Sequence, residues 1–482
     1  MVNDLAQYAV DLLKRRGVAY GDIRIIESRH QDISVNNASP EAISEQRSRG
    51  FGVRVLLNGA WGFHSSHVTS EEEIARVVDQ AIAIARASAM VAGDPVRLAP
   101  VEPQQGSYVT PFVRDPFTVP LAEKLELLVR TSERMMGPPV VLAQSFFTAH
   151  DTEKLFASTE GSLLRQRIVE TGGGIAATAL KGGEVQVRSY PNSFRGNFAT
   201  AGYEFFVGLD IAAQAERVRR EATELVDAPT CPSGRRTIIL DGGQLALQVH
   251  ESIGHPIELD RVVGMESAYA GDSFLTFDKL GTLQYGSKLV NVVADATVPG
   301  GLGTFAWDDE GVPAQRTPII TDGLFVGYMS SRETAPLLGG TSSGTMRASS
   351  WNRIPLVRMT NVNLLPHQGT LEELIADTAD GLLLATNRSW SIDNKRLNFQ
   401  FGTEAAWEIT GGKLGRLYKN PTYTGRTPEF WNSCDAVCGP AEWKLYGTPN
   451  CGKGQPSQTA HVGHGVAPAR FRKVEVGVIK QS

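Results

Sequence analysis

The sequence has 482 residues, of which 41% are hydrophobic, and a formal net charge of -5. That is enough apolar material for a full core and, at roughly 150 residues per domain, suggests two or three domains. Lys and Arg form no run long enough for a nucleic-acid stripe, and no window approaches the roughly eighteen unbroken apolar residues of a membrane span, so neither nucleic acid nor membrane is an expected partner.

The chain opens on MVNDLAQYAVDLLKRRG, where the basic residues follow the apolar ones, the reverse of a signal peptide. Leu5, Val10, Leu12 and Leu13 lie at helical spacing, with Gly17 as the stop. Strand-like runs follow at Asp22–Glu27, Asp32–Val35 and Gly50–Leu57; Asn58-Gly59 and Trp61–Ser65 complete a hairpin. Ser70 and Glu73 have capping-box spacing before a helix through Ile74, Val77, Ala81 and Ile84. Residues 93–118 read as a surface connection, and Leu121 to about Met136 as a second amphipathic helix. Short strands over 140–145, 155–159, 163–170, 174–179 and 185–190 predict an antiparallel sheet, closed by a helix from about Leu209 to Leu225. Residues 227–234, with two prolines and a glycine, mark the best boundary. The expected class is α+β: an N-terminal mixed domain over 1–229, then a β-rich domain over 230–482, sandwich or barrel-like.

The second domain begins with the strand Thr237–Leu240, and a helix carrying His250-Glu251-Ser252-Ile253-Gly254-His255 follows at once. A hydrolytic zinc site needs three protein ligands, an open position for water, and a carboxylate to take that water's proton. Histidines four apart share a helix face, but these are five apart and diverge by roughly 140° on a regular helix. Either the run is an accident of composition, or one π-type turn brings the pair together. Gly254 and Pro256 favour such a distortion.

The residues leave a third ligand open among Glu258, Glu266, His461, His464, Cys434, Cys438 and Cys451. The four cysteines, Cys231 included, sit in a chain with no export signal; they read as reduced thiols in the cytoplasm. His461 and His464 are also candidates for stabilising an oxyanion or touching substrate, and Arg347 and Arg353 for holding a peptide carboxylate. Asp308, Asp309 and Glu310 read as a turn, and Trp431 and Trp443 as core or interface aromatics.

The run from His250 to Pro256, with Glu258-Leu259-Asp260, resembles the signature of the TldD/PmbA family in its TldD-like, metal-bearing branch. The likeness continues through Asp308–Pro313, Asp322-Gly323, Gly327–Met329, Met346-Arg347, Arg358–Asn361 and Asn450–Lys453, and in the first half through Gly50–Val55 and Gly62-Phe63. It implies a zinc metallopeptidase in which His250, His255 and Cys451 hold Zn2+ and Glu251 is the general base. It further implies cytoplasmic action on unfolded or extended peptides, as a homodimer or as a heterodimer with a sister chain lacking the histidine motif. The alternative from another class is a non-catalytic regulatory or assembly partner. Its metal site would be structural and closed by a fourth ligand from Cys434, Cys438 or His464.

Overall fold

In the computed structural model, which describes residues 2–91, 93–454 and 456–477, the first segment forms helix α1 (Val2–Arg15), followed by Gly17 at φ 69°. Strands β1 (Tyr20–Asn36), β2 (Ser39–Leu57) and β3 (Ala60–Ser66) come next. The two short runs expected over 22–35 are one 17-residue strand. Polar Ser28–Gln31 breaks the hydrophobic alternation, but β1 is paired on both edges there and the ladder carries the chain through. Helix α2 (Glu71–Ala89) is capped by Ser70 Oγ, which accepts the Glu73 N–H; the Glu73 carboxylate turns to Arg76. Strand β4 (Gln105–Val109) lies in the stretch expected to be plain connection.

After α3 (Leu121–Met135), strands β5 (Val140–Ser158) and β6 (Leu163–Lys181) each merge two of the expected short runs; β7 (Glu184–Tyr190), β8 (Asn197–Ala199), α4 (Tyr203–Gly208) and α5 (Ile211–Asp227) follow. The sheet order is β3-β2-β1-β5-β6-β4, with β7 and β8 also paired to β6. Alternation along a strand sorts side chains to two faces. Ile23, Ile25, Leu155 and Ala157 pack under α1 and α2, while Ile33, Val35, Phe147 and Ala149 pack under α3, α4 and α5. The other face of the sheet carries Asp22, Arg24, His30, His150, Lys154 and Glu170.

The C-terminal half covers that polar face. Asp308–Glu310, expected to be a turn, is also a buried ionic junction. Asp308 Oδ1 accepts the N–H groups of Glu310 and Val312, which makes the turn. Asp309 pairs with Lys154 and Arg24, and Arg54 bridges Asp22 (2.8 Å) and Glu310 (3.1 Å).

The C-terminal half itself begins with β9 (Gly234–Leu240) and helix α6 (Gly242–Val249). A small sheet uses β10 (Val292–Asp295), β11 (Arg316–Thr321), β12 (Leu324–Phe325) and β15 (Val362–Leu364), beside the pair β13 (Met346–Arg347) and β14 (Leu356–Val357). Then come β16 (Asp380–Ile392), β17 (Asn398–Thr410), β18 (Lys413–Tyr418), β19 (Thr422–Arg426), β20 (Cys434–Val437), β21 (Lys444–Lys453), β22 (Gln458–Val466) and β23 (Ala469–Val476). Pairing runs β9-β23-β19-β17-β16 and returns to β9, which closes a barrel. Its interior is Leu240, Leu384, Phe401, Tyr423 and Phe471, all fully buried. The β-rich half is therefore barrel-like rather than a sandwich. The hairpin β21–β22 stands outside the barrel as its own two-stranded sheet.

Candidate metal centre

Asp241 caps α6 by accepting the Gln244 N–H at 2.8 Å. The helix is buried on nearly every side, and its internal amides are satisfied locally: Gln244 donates to Tyr423, whose hydroxyl donates to Gln248. At His250 the helix widens. His250–Gly254 form a π turn in which the His255 N–H donates to the His250 carbonyl, five residues back, at 3.2 Å. Ser252 anchors this turn. Its Oγ accepts from Trp431 Nε1 (2.9 Å) and Gln248 Nε2 (3.0 Å), and its carbonyl accepts the Tyr285 hydroxyl. Gly254 passes so close to Met359 that a Cβ would lie 2.2 Å from the sulfur.

The widened turn brings the His250 and His255 rings to 4.9 Å, nearly perpendicular at 87°. Cys451 arrives from β21, just after a register shift between Thr448 and Cys451, with its Sγ 3.7 Å from His255 Nε2. Donor atoms of all three residues lie within 4.8 Å of one another, and all three are buried.

Neighbouring groups fix which nitrogen each ring can offer. His255 Nδ1 donates to Glu258 Oε2 at 3.0 Å, leaving Nε2 with its lone pair toward Cys451. His464 Nδ1 donates to the Val362 carbonyl at 3.1 Å, so its Nε2 is an acceptor; the His250 Nδ1 hydrogen points there at 2.8 Å. His250 therefore also presents Nε2. Burial pushes the pKa of His250 below the ordinary histidine value, and those of His255 and His464 well below it. Burial alone would raise the Cys451 thiol; the Arg358 guanidinium, followed by His255, outweighs it and brings the pKa down. Two neutral imidazoles and a thiol inclined to ionise suit zinc. Bonds of about 2.05 and 2.3 Å at tetrahedral angles set nitrogen and sulfur about 3.6 Å apart, close to the spacing between His255 and Cys451.

Glu251 lies beside the three donors, its Oε2 accepting from Arg396 Nη1. A cavity of about 220 Å³ opens onto His250, Glu251, His255 and Cys451. Asn192–Gly196 and Thr448–Gly452 contribute to its walls, and Phe194 and Trp390 meet edge to face at 5.3 Å in it. Arg396, Phe194 and Trp390 escaped the sequence reading because they come from loops and strand ends far away in the chain. Only the aromatic character of Phe194 and Trp390 in polar surroundings gave any signal.

The remaining candidates are distributed elsewhere. Glu258 orients His255 and also lies by Arg261 and Lys453. Glu266 accepts the Gly454 N–H. Cys434 and Cys438 sit in hydrophobic cores, where burial pushes their thiols up to about 12 and about 11. Arg347 donates to the carbonyls of Met359 and His461, and Arg353 is half-buried and donates to the Asn352 carbonyl. His461 projects to the opposite side of β22 from His464. Trp443 donates to the Leu364 carbonyl.

Models for the PmbA/TldA metallopeptidase domain 1, central domain and C-terminal domain match residues 21–85, 114–226 and 233–477 in turn. A metalloprotease of Methanocaldococcus jannaschii is 30% identical over 92% of this chain and 94% of its own. A metalloprotease of Synechocystis is 31% identical, covering 94% of each chain. A more distant relative from Saccharolobus solfataricus, 20% identical over 96% of this chain and 97% of its own, is named a zinc metalloprotease TldD homolog. The crystal structure of TldE from Thermococcus kodakarensis has the same fold, with a TM-score of 0.73 at 15% identity over 99% of this chain and 100% of that one.

Proposed function

The chain belongs to the PmbA/TldD metallopeptidase family, and from that premise we propose that it is a zinc-dependent peptidase for unfolded or extended peptides, with Glu251 as general base. The observation that carries this reading is the meeting of two free imidazole nitrogens, one thiol and one carboxylate at the same cavity. His250, His255 and Cys451 would hold the ion, whose contribution when bound is Lewis acidity toward the scissile carbonyl and the attacking water. Glu251 accepts the water proton and returns it to the leaving nitrogen. Arg396 holds that carboxylate in place, and His464 and Glu258 keep both imidazoles in the ligating tautomer.

In this reading an extended backbone would lie between the Asn192–Gly196 loop and the β21 segment Thr448–Gly452, which line the cavity. Recognition through main-chain hydrogen bonds to a strand needs no particular side-chain sequence. The aromatic pair Phe194 and Trp390 gives such a chain an apolar surface to lie against. The same reading places the enzyme in the cytoplasm, working as a homodimer or with a sister chain that lacks the histidine motif. No helix among the described residues is long and apolar enough to cross a membrane.

A closed structural site is less well supported. Among the described residues Cys434 and Cys438 lie in separate cores, and His464 Nε2 is occupied by His250. The deciding experiment compares the native chain with Glu251→Gln for zinc content and hydrolysis of an unfolded polypeptide. Zinc should be retained while hydrolysis falls by about 10²- to 10⁴-fold. Full hydrolysis by the variant would remove Glu251 from the mechanism, and no hydrolysis by the zinc-loaded native chain would favour the regulatory alternative.

A further inference from the structure

The polar face of the N-terminal sheet carries a second group of metal-type donors. His30, His150 and Glu170 occupy one rung: His30 is the register partner of His150 between β1 and β5, and His150 that of Glu170 between β5 and β6. Residues directly opposite on antiparallel strands share a face, so the ladder itself gathers these three side chains. His30 stacks on His150 at 4.1 Å and 7°, and its Nε2 is 2.8 Å from Asp32 Oδ2.

The fourth member comes from the other half of the molecule. Side chains three apart on a strand point to opposite sides. His464 of β22 therefore serves the metal centre while His461 faces the sheet. His461 Nδ1 lies 2.6 Å from Glu170 Oε2, and its ring is 4.8 Å from that of His150. Donor atoms of His150, Glu170 and His461 all fall within 4.8 Å of one another. A cavity of about 310 Å³ reaches them. Two imidazoles and a carboxylate with room for further ligands make a set that first-row divalent ions accept.

We propose that His150, Glu170 and His461 form a second site for a divalent ion of the zinc and cobalt class. The ion takes the place of the hydrogen that His461 shares with Glu170. It ties the rung of β5 and β6 to β22, the strand that also positions His464. Arg347, which lines the same cavity, has Nη1 bonded to the Met359 and His461 carbonyls. This inference does not depend on peptidase activity.

The test is titration of the metal-stripped full chain with cobalt(II), read by optical absorption and equilibrium dialysis. Two equivalents should bind, one per donor group. The ion at Cys451 gives a thiolate-to-cobalt charge-transfer band, and the ion at the all-nitrogen-and-oxygen site does not. His150→Ala and His461→Ala should each lose one equivalent and keep the band. Cys451→Ser should lose the band and still bind cobalt at the second site. Glu170→Gln, which keeps the side-chain volume, gives the same reading if a histidine variant does not fold. The proposal is overturned if the native chain binds a single equivalent carrying the band, or if the folded His150, Glu170 and His461 variants still bind two.

Discussion

His464 Nε2 lies 2.8 Å from His250 Nδ1, and the Val362 carbonyl on the other side of the His464 ring fixes the direction of that bond. His464 thus sets the tautomer of a histidine proposed as a metal ligand. Replacing such a partner commonly costs about 10- to 100-fold in metal affinity. His464→Phe should weaken zinc binding by that factor, measured by competition with a chromogenic chelator. Unchanged affinity would mean that His250 needs no orienting partner.

Arg396 and Glu251 form an ion pair, with both side chains largely buried. A misplaced catalytic group can cost about 10²-fold in rate. Arg396→Ala should therefore lower kcat by about that much with zinc content unchanged. Loss of zinc together with activity would assign Arg396 to the integrity of the site instead.

Gly254 has no room for a side chain against Met359, whose sulfur is 2.2 Å from the place of a Cβ. Overpacking of this kind costs about 1–3 kcal/mol. Gly254→Ala should lower the thermal midpoint accordingly, since the buried Met359 side chain or the π turn must shift, and should weaken zinc binding if it is the turn that moves. A variant with native midpoint and native affinity would show that the turn tolerates a methyl group.

Cys434→Ala and Cys438→Ala should leave zinc stoichiometry untouched, because both thiols lie in hydrophobic cores rather than by the donor cluster. Loss of the ion in either variant would revive a site closed by a fourth ligand.

Asp32 supplies a dependence on pH. Burial would raise its carboxyl, but hydrogen bonds from His30 and Thr148 outweigh burial and bring its pKa down to about 2. A carboxylate whose pKa falls on folding stabilises the native state above its unfolded value near 4, and that contribution disappears as the pH drops toward 2. Asp32→Asn should flatten the fall of the thermal midpoint across this window. An identical slope in the variant would contradict the assignment.

Much of the fold was legible in the sequence. Helical spacing gave α1, α2, α3 and α5, and turn residues at short intervals marked the β-rich half. The lengths of β1, β5 and β6 were not legible, because polar stretches such as Ser28–Gln31 look like loops until neighbouring strands pair with them. Asp308–Glu310 showed the turn but not the partners, since Arg54, Arg24 and Lys154 lie more than 150 positions away.

The run from His250 to His255 determined by itself that two imidazoles and a carboxylate would lie within two turns of one helix. Its five-residue spacing also determined that a regular helix could not join them. Tertiary structure decided the rest. Ser252, held by Trp431 and Tyr285, anchors the π turn, and β21 delivers Cys451 from some two hundred residues away. The reason is physical: local spacing sets which side chains share a face, but the tautomer of a ring and the approach of a distant thiol depend on donors and acceptors that only packing brings within reach.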